Sequence, residues 1–252
     1  MPDNVVALDI SNHQGDLTQD NFNKFKEVGV QTIICGTDGN LQQGVAYQRQ
    51  IQMAQNAGLR TEAYIYLYHT VPDMLARARI KLDMIQSVGG VEQVWMDCED
   101  TEPLHPTYIH NMIVGVRAEI TGRGYQTGIY TGRWWWVPRT GNNSEFTDLP
   151  LWLASYDGIY ELDISGNPMS GWTKLHRKQL SDKAVVGGYG PLDYNIEERI
   201  VVSPPVPAPP PPEIPVPTPT PPQVNPLIVT ARERVEEAWR LLREVELGAP
   251  PS

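Results

Sequence analysis

The sequence predicts an α/β fold, an irregular (β/α) TIM-like barrel with eight strands and fewer helices, and three observations carry the prediction. Short apolar runs alternate with amphipathic stretches through the first half of the chain, eight such runs occur before residue 200, and acidic side chains recur where the runs end. Strand, helix, strand repeated in this way implies parallel strands joined by helical crossovers. Eight strands favour closure into a barrel over an open sheet.

The strands are expected at 5–11, 31–37, 61–68, 93–99, 126–132, 150–156, 176–181 and 192–195. Each is short, rich in β-branched or aromatic residues and bounded by polar or glycine-containing segments. Amphipathic helices fill the gaps between the first five, at 19–28, 43–57, 73–88 and 107–122. No long helical pattern separates the last three strands, so the second half of the barrel should be irregular. The composition changes at Ser203. Thirteen of the 23 prolines fall between 203 and 226, which favours an extended polyproline spacer that cannot pack a core. Residues 227–252 then carry one helical period through Ile228, Ala231, Val235, Ala238, Leu242 and Val245, with Thr230 and Glu233 forming a capping-box pattern. The expected organisation is a barrel over 1–202, a linker over 203–226 and a C-terminal amphipathic helix over 227–252. That helix leaves an apolar seam through which copies of the chain could self-associate.

With 252 residues and seven Trp, the chain has material for a sizeable core. A formal charge of −10 opposes non-specific binding to nucleic acid or to an anionic membrane surface. Cys35 and Cys98 are too few for a disulfide framework and lack metal-ligand spacing, which makes them buried free thiols. The N-terminal "MPDNVVALDIS" has neither a basic nor a long apolar region, and no stretch reaches the ~20 apolar residues of a membrane span. The expectation is synthesis in a cytoplasm without a signal peptide and without membrane insertion.

In (β/α) barrels chemistry gathers at the C-terminal ends of the strands. Asp9 ends the first strand, Asp97 and Glu99 end the fourth, and Asp193 lies in the eighth, so four carboxylates can converge on one mouth. Strand alternation puts Asp97 and Glu99 on one face, ~7 Å apart, and turns Cys98 towards the helices. Crowded carboxylates raise one another's pKa, so that one keeps a proton near neutral pH for a leaving group. Glycoside hydrolysis asks for this pair, and hard cations are the competing use of such a cluster. Asp100 and Glu102 read as acids that solvate the loop after the strand. His13 lies in the first-strand motif, where substrate contact and a loop hydrogen bond are equally reasonable. Tyr64, Tyr66, Tyr130, Trp134, Trp152 and Tyr156 sit at or beyond strand ends, where flat rings can stack on sugar faces, and Gln179 and Asn195 supply polar contacts from the last two strands. Three consecutive indoles in "RWWW" cannot all be buried on one face, so at least one should be exposed.

These residues carry a resemblance. "ALDISNHQGD" is similar to the opening motif of family 25 glycoside hydrolases, the lysozymes of Chalaropsis type common among phage endolysins. "VWMDCED" resembles their D-x-E motif, and "GIYTGRWWW", "LPLWLASYD" and "KQLSDKAVVGGYGPLDYN" resemble three later strands in the family's order. The resemblance spans about residues 5 to 200. It implies an N-acetylmuramidase acting on bacterial peptidoglycan, at the β-1,4 bond between N-acetylmuramic acid and N-acetylglucosamine, with no metal or other cofactor. It implies Glu99 as the general acid, Asp97 as the other acid of the pair, and Asp9 and Asp193 as further acids of the site. "CGTDG" at the second strand, Tyr64-Ile65 at the third and Leu180 after Gln179 depart from the family pattern and bear on subsite contacts, not on the acids. Three function classes follow: an endolysin that reaches the wall after release, a virion-associated structural protein carrying a lysozyme domain, and a glycan-binding barrel without catalysis.

Overall fold

The computed structural model describes residues 4–37, 41–68 and 73–198. The expected linker and C-terminal helix lie outside them. Among the described residues, eight strands close into one barrel in chain order: β1 (Asn4–Ile10), β2 (Val30–Gly36), β3 (Arg60–Tyr66), β4 (Val91–Asp97), β5 (Gln126–Gly132), β6 (Leu151–Ala154), β7 (Arg177–Val186) and β8 (Tyr189–Glu198). Four helices cross over between the first five strands: α1 (Gln19–Glu27), α2 (Leu41–Asn56), α3 (Met74–Val88) and α4 (Pro106–Gly122).

Local chemistry sets these boundaries. Thr18 caps α1 through a reciprocal pairing with Asn21, and Phe22 and Phe25 bury its inner face. Asp73 caps α3 by accepting from the Ala76 N–H at 2.9 Å. Pro106 opens α4, where its missing N–H costs nothing.

Two features correct the sequence reading. β1 to β7 run parallel, but β8 is antiparallel to both of its neighbours, β7 and β1. The cause is local. Gly187 and Gly188, with φ of 59° and 84°, make a two-residue turn of the kind that joins antiparallel strands, so no helix follows β7. β7 and β8 also run longer than 176–181 and 192–195. The second feature is α5 (Arg133–Thr140), one short helix carrying the three indoles and Pro138, too brief to show a helical period. Successive helical residues diverge in direction, and accordingly Trp135 and Trp136 are buried while Trp134 is 60% exposed.

Period-two alternation splits the core into two zones. Leu8, Ile33, Ile65, Met96, Cys98 and Ile129 face outwards into the layer beneath the helices. Ala7, Ile34, Trp95, Tyr130 and Trp152 form a second cluster inside the barrel. Gly128 shows how tight that interior is: a Cβ there would lie 2.4 Å from the Trp95 ring and 2.7 Å from the Pro150 carbonyl. Below the indoles, at the N-terminal end of the parallel strands, Arg177 is completely buried. It donates to Glu62 at 2.8 and 3.1 Å and to Glu197 at 3.0 Å, with a further contact to Glu197, and lies over both Trp95 and Trp152. Trp95 Nε1 donates to Glu62 at 2.7 Å and Thr32 to Glu197 at 2.6 Å. This ionic floor supports the aromatic layer that the site rests on.

Candidate active site

Above the aromatic layer opens a cavity of about 290 Å³, lined by acids from three strands or strand ends: Asp9 on β1, Asp97 and Glu99 at the end of β4, and Asp193 on β8. Parity brings Asp97 and Glu99 to it together, and antiparallel pairing sets Asp9 opposite Asp193. Tyr64, Tyr130, Trp152, Tyr156 and Gln179 complete most of the wall. A neighbouring cavity of about 420 Å³ shares Glu99, Tyr130 and Tyr156 with the first and is bounded by Trp134 and Arg133. Of the residues expected to contact sugar, six therefore face one of these two spaces.

The other two do not line either cavity. Tyr66 is half-buried and packs its ring against Tyr68 at 4.5 Å. Asn195 is fully buried beneath the acids; its Nδ2 donates to Asp9 Oδ2 at 2.7 Å and its Oδ1 accepts from Trp152 Nε1 at 2.7 Å. Gln179 touches the cavity but also donates to Asp9 Oδ2, at 3.0 Å, while accepting from Tyr130 and Tyr156 at 2.9 and 2.8 Å. Asp100 overturns its reading as a solvating acid. It is buried, its carboxylate accepts from the Glu102 N–H at 3.2 Å, and its carbonyl accepts from Trp135 Nε1 at 2.6 Å. Arg139 of α5 binds the Thr101 and Glu102 carbonyls, so this helix pins the loop that follows Glu99. Glu102 itself is exposed, as expected.

The sequence reading missed two residues of the mouth, Ser11 and Gln14. Ser11 caps the short 3₁₀ turn Asn12–Gln14, and Gln14 reaches towards Asp193 Oδ2 at 3.5 Å. The Q-G pair after β1 was the available signal, since Gly15, at φ 66°, ends that turn. His13 lines the mouth with its ring exposed and bonds to Ser11 through its backbone N–H.

Electrostatics separates the acids. Burial, followed by the charge of Asp9, pushes the Glu99 carboxyl up to about 7. Burial also raises Asp9, to about 6, against hydrogen bonds from Asn195 and Gln179 and the charge of Arg177. Asp193 is raised to about 8 by burial and by Asp9, Asp182 and Glu99. Behind burial, the charge of Asp9, from across the barrel, opposes Glu99 ionisation; the charges of Asp97 and Glu99 add to burial in raising the hydroxyls of Tyr66 and Tyr130. A carboxyl that keeps its proton near neutrality beside an ionised neighbour is equipped to protonate a leaving oxygen. Among the described residues no three His, Cys, Asp or Glu side chains are grouped to hold a metal ion. No helix among them is long and apolar enough to cross a membrane.

Residues 8–189 match the sequence pattern of Glycosyl hydrolases family 25. The chain belongs to that family. Curated relatives include probable GH family 25 lysozyme 2 of Dictyostelium discoideum, 26% identical over 54% of this chain and 66% of its own length, and probable GH family 25 lysozyme 5, 31% identical over 42% and 50%. The matches thus span half to two thirds of those relatives. Solved structures with the same fold include the spore cortex lytic enzyme SleM of Clostridium perfringens, with a TM-score of 0.61 and 18% identity over 78% of this chain and 68% of that one. Another is the catalytic domain of endolysin ply40 from a bacteriophage of Listeria monocytogenes, with a TM-score of 0.57 and 17% identity over 78% and 94%. The modular Cpl-1 endolysin complexed with a peptidoglycan analogue has a TM-score of 0.54 and 17% identity over 79% of this chain and 55% of that one.

Proposed function

We propose that the chain is a peptidoglycan hydrolase, an N-acetylmuramidase that cleaves the β-1,4 bond between N-acetylmuramic acid and N-acetylglucosamine. The observation that carries this reading is the Glu99 carboxyl, held protonated up to about 7 by burial and by Asp9, at the junction of two cavities walled with aromatic rings. Glu99 donates its proton to the bridging oxygen as the C1–O bond breaks, and a water molecule completes the new reducing end. Asp9 and Asp97 stabilise the positive charge that develops at the anomeric carbon or on the substrate's N-acetyl group. Tyr64, Tyr130, Trp134, Trp152 and Tyr156 hold the pyranose rings. The Cpl-1 endolysin, which shares this fold, has been solved with a peptidoglycan analogue, which supports the substrate class. Similarity in fold to phage endolysins supports release to the cell wall at lysis as the setting.

Digesting purified peptidoglycan with the protein and reading the new reducing ends by mass spectrometry tests the proposal. Reducing N-acetylmuramic acid is expected; reducing N-acetylglucosamine, or cleavage of the stem peptide alone, overturns it. A second proton donor has an observation of its own, because Asp193 is raised higher than Glu99, to about 8. Comparing Asp193→Asn with Glu99→Gln separates the two, since only the variant of the true donor loses the bulk of its turnover.

A further inference from the structure

Two side-chain amides converge on one carboxylate oxygen of the site. Asn195 Nδ2 and Gln179 Nε2 both donate to Asp9 Oδ2, at 2.7 and 3.0 Å. Neither amide is free to turn over. Trp152 Nε1 is a donor with no acceptor capacity, and at 2.7 Å it obliges Asn195 to face it with its oxygen and to face Asp9 with its NH₂. Gln179 is fixed from the opposite side by two phenols, Tyr130 and Tyr156, which both donate to its Oε1. Reversing that amide would set its oxygen against Asp9 Oδ2. Asn195, Gln179, Trp152 and Tyr130 are all buried, where such bonds are stronger than in water.

We propose that Gln179 and Asn195 are positioning residues whose locked amides make Asp9 the first of the acid cluster to ionise, and so the negative charge against which Glu99 keeps its proton. With two N–H groups on Oδ2, a proton could settle only on the other oxygen of Asp9, and the donors favour the anion. The surrounding charges would otherwise decide differently. Asp193 faces Asp9 from β8, with Asp182 behind it; Glu99 and Asp97 face it from β4; the Tyr130 and Tyr156 hydroxyls close the β5 and β6 sides; and Arg177 on β7, the nearby cation, is already shared by Glu62 and Glu197. Asp9 is also the most buried of the three raised acids, since Glu99 and Asp193 are only partly covered. Burial alone would make it the first to take a proton. It is instead the most acidic of the three, in keeping with the amide contacts.

The inference rests on the reading of Glu99 as the acid, but its test needs no turnover. Carboxyl groups in the full-length chain are titrated by ¹³C NMR without substrate, with Asp9→Asn and Glu99→Gln supplying assignments. In the unmodified chain Asp9 is expected to lose its proton before Glu99 and Asp193. In Gln179→Met the Asp9 midpoint should rise by about one pH unit, roughly a tenfold gain in proton affinity for the loss of one buried donor, and the Glu99 midpoint should fall. The double variant Y130F/Y156F keeps the amide but unlocks it, and should give a smaller movement in the same directions. The proposal is overturned if Asp9 titrates after Glu99 in the unmodified chain, or if a folded Gln179→Met or Y130F/Y156F leaves the Asp9 midpoint in place. Should both variants fail to fold, the order in the unmodified chain still decides. A chain that does not cleave peptidoglycan but titrates in the expected order sinks the proposed function and spares this inference; the reverse pattern does the opposite.

Discussion

Replacing Arg177 with Met should expose how much the barrel relies on its buried ionic floor. Arg177 serves two carboxylates, each 1% exposed, through hydrogen bonds of 2.8 to 3.1 Å to Glu62 and contacts at 3.0 Å and closer to Glu197. Removing one partner of a buried pair costs about 3–5 kcal/mol, chiefly because the other charge stays buried without it. Two carboxylates are left here, but Arg60 remains within 3.3 Å of Glu62 and 3.7 Å of Glu197 and takes up part of the field. The upper end, about 5 kcal/mol at pH 7, is therefore expected, or a fall in Tm of about 10–20 °C at 2–4 °C per kcal/mol. The pH dependence has a definite sign. Burial alone would raise the Glu62 carboxyl, but Arg177 outweighs it and, with Trp95 and Arg60, holds it below the ordinary range. In the unmodified protein that stabilisation is present above the unfolded-state value and is lost as pH falls through the folded one. In the variant burial pushes Glu62 upwards, so stability should be lost as pH rises instead, and the deficit should be smaller at pH 5 than at pH 7. Urea unfolding at both values checks this. A deficit under about 1 kcal/mol, or one equal at both values, would refute the reasoning.

Other substitutions test other parts of the account. Asp9→Asn should shift the alkaline limb of the pH–rate profile to lower pH, because burial then raises Glu99 without the added opposition of the Asp9 charge; a limb that stays or moves up contradicts the assignment of Asp9 as its partner. In the unmodified protein, activity should peak between the ionisation of Asp9, about 6, and that of Glu99, about 7, as a bell-shaped profile measured on soluble glycan fragments would show. Trp134→Ala should raise KM about 3–10-fold with little change in kcat, as expected for about 0.5–1.5 kcal/mol of ring stacking, and should leave Tm almost unmoved because the indole is 60% exposed. Gly128→Ala should cost about 1–3 kcal/mol in thermal unfolding, since its Cβ would meet the Trp95 ring and a backbone carbonyl that cannot move aside cheaply.

The strands and helices of the first half were legible because each buried element repeats its pattern locally. Parity alone sends Cys98 outwards and brings Asp97 and Glu99 to one face, and the structure places all three so. What the sequence concealed depends on closure. Arg177 and Glu62 stand 115 residues apart, and neither carries a local sign of its partner. Asp97 is the obvious neighbour of Glu99 in the chain, yet Asp9, from across the barrel, adds its charge to burial in opposing the ionisation of Glu99. Asn195 has the chemistry of a sugar contact, and only the direction of β8 shows it lying beneath the acids. That direction did have a signal, the Gly187-Gly188 pair between two alternating runs, which marks a hairpin in the stretch where no helical pattern was found.

The central claim is that Glu99 donates the proton that breaks a glycosidic bond, and the turnover of Glu99→Gln on purified peptidoglycan tests it most directly. The amide keeps the size of the side chain but cannot supply the proton, so the release of reducing ends should fall by roughly 10²–10⁴ with the melting temperature unchanged or slightly raised. A folded Glu99→Gln variant that opens glycan strands at close to the unmodified rate would contradict the claim.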